Sequence, residues 1–390
     1  MLTALTDARV LTPDELIERG TVLIDDAGIV KVGPSFSLPP GAQVTRLPNL
    51  TLAPGFIDLH VHGGGGFALA TTDPEEIRSY ARWVVAKGVT SFLATVCAAN
   101  QEEALGFLRA GARAADQDSD GASLLGLNLE GPFVSPFRRG ALLESWPLPP
   151  DMRAFDGLVE AAGGHLRVMT LAPELPRAES VLRVAVSREV AVAVGHTDAR
   201  YEEATRAFGA GASLLTHAFN AMRPFHHRDP GPVGAAVDSP GTVVELIADG
   251  VHLHAATVGL LVRSLGPQRV ALVTDGVTPA GMASGGFRVG GQEALLRDGR
   301  VVLADGTIAG SAATMDQVVR NLVRWGIADL AAAARMASSV PAAVLGLENR
   351  KGRIAPGYDA DLVALDEELE VVMTWVGGQM RHLWPQGWQG

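Results

Sequence analysis

A chain of 390 residues, 47% hydrophobic and 19% charged, is long enough for one large domain with a smaller appendage and too apolar to be a disordered polymer. Its 32 Lys and Arg against 43 Asp and Glu leave a formal charge of −11, which argues against nucleic acid or an anionic membrane as partner while permitting one local anion pocket. A single cysteine, Cys97, rules out an internal disulfide.

At the start, MLTALTDARVLTPDEL carries Asp7 and Asp14 where a secretory signal needs its apolar stretch. No run of about 18 apolar residues follows anywhere, so the expectation is a cytoplasmic protein that does not span a membrane. The segment VLIDDAGIVKVG has a strand-like pattern, and so does DADLVALDEELEVVMTWVGGQMRHL near the far end. Residues 1–53 and 350–390 are therefore expected to build one small β domain together.

Residues 54–349 read differently. Eight apolar runs, at 52–62, 89–97, 124–133, 166–174, 190–198, 213–222, 243–252 and 269–277, alternate with helical segments. DPEEIRSYARWVVAKG illustrates the helices: Asp73 can cap, Pro74 suits the first helical position and Gly88 stops the run. Continuous apolar strands, buried on both faces and joined by helices, predict an α/β protein built on a (β/α)8 TIM-like barrel, with the small β domain attached.

Rare polar residues recur at the C-terminal ends of these runs, the face on which such barrels place their chemistry: His60 and His62, Glu130, His196, His217, Asp249 with His252, and Asp275. Any one histidine there could be structural. Their joint placement points to a metal. His60 and His62 leave a strand on the same face, and with a carboxylate and two further imidazoles they suit Zn²⁺ or Fe²⁺ better than Mg²⁺. Lys31, Lys87 and Lys351 all fall where none can bridge two ions from a strand end, so Glu130 is the carboxylate expected to do so. Asp275 is the natural general base for a metal-bound water.

PGFIDLHVHG, LEGPF, GHTDA, THAFNAM, ADGVH, TDG and AGSAATM, in this order, resemble the amidohydrolase superfamily and, within it, the N-acetylglucosamine-6-phosphate deacetylases. The resemblance covers nearly the whole chain. It implies one or two divalent ions, the principal one held by Glu130, His196 and His217 and a second supported by His60 and His62, with Asp275 moving the proton. Asn220, Ala221, Arg228 and His252 resemble sugar-phosphate contacts, and Ala141 with the loop Ile308, Ala309 and Gly310 resembles a sugar-pocket lining. Arg228 is implied to reach a neighbouring subunit's site, hence a homodimer. The implied reaction is hydrolysis of the N-acetyl group of N-acetylglucosamine 6-phosphate, a small-molecule substrate.

Two departures mark this chain. Leu142 stands where the family has a histidine beside the scissile amide, and TDGV replaces a TDAM-like motif, so Arg138 or Arg139 would have to supply the missing donor or the substrate would differ. The alternatives are an amidohydrolase acting on another N-acyl or cyclic amide and a silent sugar-phosphate-binding relative.

Overall fold

The computed structural model describes residues 2–384; the expected far boundary at residue 390 lies outside them. Eight strands, Phe56–Val61, Val89–Val96, Ser123–Glu130, Leu166–Leu171, Ala191–Val194, Leu214–Leu215, Val243–Leu246 and Val270–Leu272, pair in chain order as one parallel sheet. The first and last meet through a parallel bridge between Val61 and Gly276, and the Asp275 N–H donates to the His60 carbonyl at 2.9 Å. The expected (β/α)8 barrel is therefore present, with the seam sealed beside the site.

The strands are nearly continuous hydrophobic runs because both faces are covered; all eight residues of Val89–Val96 are buried. Burying each Leu, Ile, Val or Phe side chain of this kind contributes about 1.5–3 kcal/mol. The first barrel helix, Pro74–Val84, begins as its sequence demands: the Asp73 carboxylate accepts the Glu75 N–H at 2.9 Å. A short 3₁₀ turn, Val85–Lys87, then ends at Gly88 with φ 73°. Asn100 and Asp151 cap Gln101–Ala115 and Met152–Ala161 in the same way.

A second sheet is assembled from both parts of the chain that flank the barrel. Leu362–Leu365 pairs antiparallel with Thr51–Pro54, which lies beside Leu2–Leu11, and the sheet extends on one side to Gly28–Pro34 and on the other to Gln379–Leu383. Its own core gathers Leu5, Val22, Ile24, Leu52, Leu362 and Trp375. Lys351, buried, is clamped by Asp361 at 2.6 Å and Asp359 at 3.0 Å at the end of this sheet.

A third sheet is not foreseen in the sequence reading. After the last barrel strand, Gly285–Val289, Gln292–Arg297, Arg300–Leu303 and Ile308–Ser311 form an antiparallel meander before helix Met315–Arg324. Ile308 to Gly310, expected as a loop, is thus an edge strand; the Ser311 N–H bonds to the Asp275 carbonyl at 2.8 Å and draws the strand onto the barrel rim. Gly310 sits at φ 89°, and a Cβ there would lie 2.5 Å from Val277. Among the described residues no helix is long and apolar enough to cross a membrane.

Candidate active site

The barrel strands end in a cluster of imidazoles and carboxylates. His196 Nε2 lies 2.9 Å and His217 Nε2 3.1 Å from Glu130 Oε1, and the two nitrogens are 3.2 Å apart. His60 Nε2 approaches the same oxygen at 3.3 Å, while His62 Nε2 stands 3.3 Å from both Glu130 Oε2 and Asp275 Oδ1. His60 donates from Nδ1 to Glu245 at 3.0 Å, and His196 from Nδ1 to the Arg138 carbonyl at 3.0 Å, so that in the neutral ring each presents Nε2 as the lone pair facing the cluster. His60 Nε2, fully buried, has no hydrogen-bond partner among the described residues.

Such a convergence is unfavourable unless positive charge fills it. Burial works against charge on His60, but the Glu245 and Glu130 carboxylates outweigh it and hold its pKa well above the ordinary value. Burial likewise opposes charge on His62, and Asp275, Cys97 and Glu130 overcome it. Desolvation would raise Glu130 and Asp275, yet the surrounding imidazoles hold both below the usual carboxylate range. The cluster favours a cation, and its N and O donors suit a borderline divalent metal.

The backbone is bent to make this possible. His196, His217, Ala221 and Asp275 all adopt positive φ, at 44°, 22°, 47° and 48°. Each such residue costs on the order of 1–3 kcal/mol and is held by its surroundings. Asp275 is bracketed by the His60 carbonyl and the Ser311 N–H, and the His217 N–H donates to buried Glu245 at 3.2 Å.

Above the cluster opens a cavity of about 650 Å³, within the range of small-molecule sites. His62, Glu130, His196, His217, Asn220, Ala221, His252 and Asp275 line its lower part, and Ala141, Leu142, Ile308, Ala309 and Gly310 its wall. His60 lies beneath, out of contact with the cavity surface. His252 is anchored through Nδ1 to Asp249 Oδ2 at 2.7 Å, leaving Nε2 4.0 Å from Asp275 Oδ2. Burial would lower the His252 pKa, but the Asp249 hydrogen bond raises it.

The matching family model, Amidohydrolase family, spans residues 51–381. The chain belongs to the amidohydrolase family. This amidohydrolase is 36% identical to the N-acetylglucosamine-6-phosphate deacetylase of Bacillus subtilis (strain 168), over 97% of its own length and 96% of that protein. It is 34% identical to the N-acetylgalactosamine-6-phosphate deacetylase of Escherichia coli O157:H7, over 95% and 97% respectively. Among solved structures it superposes with TM-score 0.92 on a mutant N-acetyl-D-glucosamine-6-phosphate deacetylase from Mycobacterium smegmatis in complex with N-acetyl-D-glucosamine-6-phosphate, at 34% identity, covering 97% of this chain and 99% of that one. The amidohydrolase family is metal-dependent, which agrees with the donor set assembled here.

Not every expected residue converges. Arg228 is exposed and does not line the cavity of its own chain; its backbone N–H bonds to His226 Nδ1 at 3.3 Å. Arg138 and Arg139, considered as donors to offset Leu142, are engaged elsewhere: Arg138 Nε with Asp198 at 2.8 Å, Arg139 Nη1 with the Leu142 carbonyl at 2.7 Å. Glu245, which orients two of the clustered histidines, is absent from the sequence-derived set. Its signal was a lone carboxylate inside the apolar run VVELIADGVH, where burial demands a partner. Asp58, accepting from the Thr274 hydroxyl at 2.6 Å beneath the cluster, is the same case.

Proposed function

We propose that this amidohydrolase removes the N-acetyl group of N-acetylglucosamine 6-phosphate, giving glucosamine 6-phosphate and acetate. The observation that carries the reading is the Asp275 carboxylate, set between the imidazole–carboxylate cluster and the open cavity, 3.3 Å from His62 and 4.0 Å from His252. The curated relatives and the M. smegmatis structure supply the substrate class.

Glu130, His196 and His217 would hold the principal ion, zinc or iron, with His60 and His62 supporting a second. A divalent ion held there would acidify a water molecule and polarise the acetyl carbonyl. Asp275 takes a proton from the water as oxygen adds to the acetyl carbon, and returns it to the nitrogen as the C–N bond breaks; proton transfer of this kind contributes about 10²- to 10⁴-fold. Burial opposes its charge, but the neighbouring imidazoles outweigh burial and hold this carboxyl below its ordinary range and therefore ionised before the proton is transferred. His252, held by Asp249, presents Nε2 to the sugar, while Asn220 and the Ala221 backbone offer neutral donors to its phosphate end. Ala141 and the strand Ile308 to Gly310 form the wall against which the ring lies. Arg228, exposed on its own chain, fits a homodimer in which it reaches the neighbouring site. Residues 54–349 would be the catalytic barrel, and 1–53 with 350–390 its β domain.

The test is acetate release by protein loaded with Zn²⁺ or Fe²⁺ from N-acetylglucosamine 6-phosphate, its galacto epimer and the unphosphorylated sugar. Phosphate-dependent release is the expected result. No release from any of the three, with metal bound, would overturn the reading.

A further inference from the structure

Leu142, which departs from the family's histidine beside the scissile amide, is buried and lines the cavity. Cys97, Ala98, Ala99, Phe107 and Leu143 line the same cavity. Leu142 and Ala98 belong to one buried apolar cluster, with Cys97 and Phe107 packed against it. Val277 and Ala309, on the wall assigned to the sugar ring, belong to the separate cluster of the meander, with Ala141 packed against that one. The cavity thus has two apolar walls drawn from different parts of the fold. The Ser145 hydroxyl donates to the Ala99 carbonyl at 2.7 Å and ties the segment carrying Leu142 and Leu143 to the stretch from Cys97 to Ala99. Glu103, an exposed carboxylate at the rim of this lobe, is committed to the Ala99 N–H at 2.5 Å.

Barrel topology says what the lobe faces. Cys97, Ala98 and Ala99 follow Val89–Val96, the second barrel strand, and Asn220 and Ala221 follow Leu214–Leu215, the sixth. Strands two and six of a closed ring of eight stand on opposite sides of its axis. In a glucosamine 6-phosphate, the carbon that bears the amide nitrogen and the carbon that bears the phosphate-carrying arm likewise face each other across the ring. With the phosphate end at Asn220 and Ala221 and the amide at Asp275 and the histidine cluster, the acyl chain leaves the amide toward the lobe.

We infer that this lobe is an acyl pocket deeper than an acetyl methyl needs, and that the amidohydrolase cleaves the N-propionyl and N-butyryl forms of glucosamine 6-phosphate more efficiently than the N-acetyl form. The inference rests on the amino-sugar phosphate reading above and extends it from the sugar to the acid released. The step is the same hydrolysis: the oxygen of water joins the acyl carbon, the C–N bond breaks and the nitrogen takes the proton, giving the free amine and propionate or butyrate. The small side chains of Ala98 and Ala99 make room for the added methylenes. Leu142 and Phe107 give those methylenes apolar contact, where a histidine would present a polar ring.

The experiment loads the protein with Zn²⁺ and measures release of glucosamine 6-phosphate, the common product, from its N-acetyl, N-propionyl and N-butyryl derivatives. The ratio kcat/KM should rise about three- to fourfold for each added methylene, the value of burying one CH₂. Ala99→Leu fills the lobe and should lower the butyryl-to-acetyl preference about tenfold or more, and Leu142→His should lower it as well. A fall in kcat/KM from acetyl to butyryl in the parent overturns the inference, and so does a preference that Ala99→Leu leaves unchanged. The parent series decides the matter even if a variant fails to fold. Release from the N-acetyl sugar with none from the longer ones refutes the acyl pocket and leaves the deacetylase reading standing; metal-loaded protein that frees the amine from none of the three refutes both.

Discussion

Glu245 offers the most direct check on the architecture of the metal cluster. One of its oxygens, Oε2, receives two donors, His60 Nδ1–H at 3.0 Å and the His217 N–H at 3.2 Å, and the side chain is fully buried. Its work is to fix the His60 tautomer and to hold His217 in its strained backbone conformation, φ 22°. Outer partners of this kind change metal affinity by about 10- to 100-fold, or roughly 1.4–2.7 kcal/mol. Glu245→Gln keeps an acceptor but removes the charge and should sit near the tenfold end; Glu245→Ala removes both and should approach a hundredfold. Metal-free proteins would be titrated with Zn²⁺ against a chromophoric chelator, and melted without metal to separate loss of fold from loss of orientation. A Glu245→Ala protein that binds Zn²⁺ as tightly as the parent would refute the argument that His60 and His217 depend on this carboxylate.

Asp275→Asn should lower kcat by about 10²- to 10⁴-fold while retaining bound metal, read by acetate release beside metal analysis; near-parental turnover would remove Asp275 from the proton path. Burial pushes the Asp58 carboxyl up to about 7, despite the hydrogen bonds from Thr274 that favour its charge. A carboxyl that binds its proton more tightly folded than unfolded loses stabilising effect as pH rises from about 4 through about 7. Asp58→Asn should therefore gain on the parent over that interval in melts of metal-free protein, and a difference independent of pH would contradict the assignment. Lys351→Ala leaves the Asp361 and Asp359 carboxylates without their buried cation and should cost about 3–5 kcal/mol in denaturant melts, with KM and metal affinity unchanged because the pair lies outside the cavity.

The barrel and most of the cluster were legible because each reports itself locally. A strand buried on both faces must be apolar throughout, so His60, His62, His196 and His217 stand out at the ends of such runs, and the HxH spacing places two of them on one face. The meander escaped the barrel pattern because it is short and half-exposed, with Arg and Glu on its open side and no long apolar run. Its turn signals were nonetheless there, in Gly290–Gly291, Asp298–Gly299 and Asp305–Gly306, each between short stretches of strand. Glu245 and Asp58 were hidden for the opposite reason. Their neighbours are so apolar that the strand pattern absorbs them, and only the three-dimensional partners show why a carboxylate is tolerated there. The placement of Arg228 could not be read from spacing at all, since whether a loop arginine turns into or away from a cavity is decided by distant packing.

The pairing of Leu365 with Thr51 joins residues separated by roughly three hundred positions along the chain. At a synthesis rate of about 5–20 residues per second, Thr51–Pro54 leaves the ribosome some 15–60 s before its partner strand exists. Leu2–Leu11 and Leu16–Asp25 can pair at once as a hairpin, but their sheet must wait with one edge open while the barrel is made. An unpaired strand edge is a template for association with another chain. Translation speed over the codons for Leu362–Leu365 and the strands that follow it, and chaperones that shield that edge, should thus govern the yield of soluble protein more than the stability of the finished barrel does.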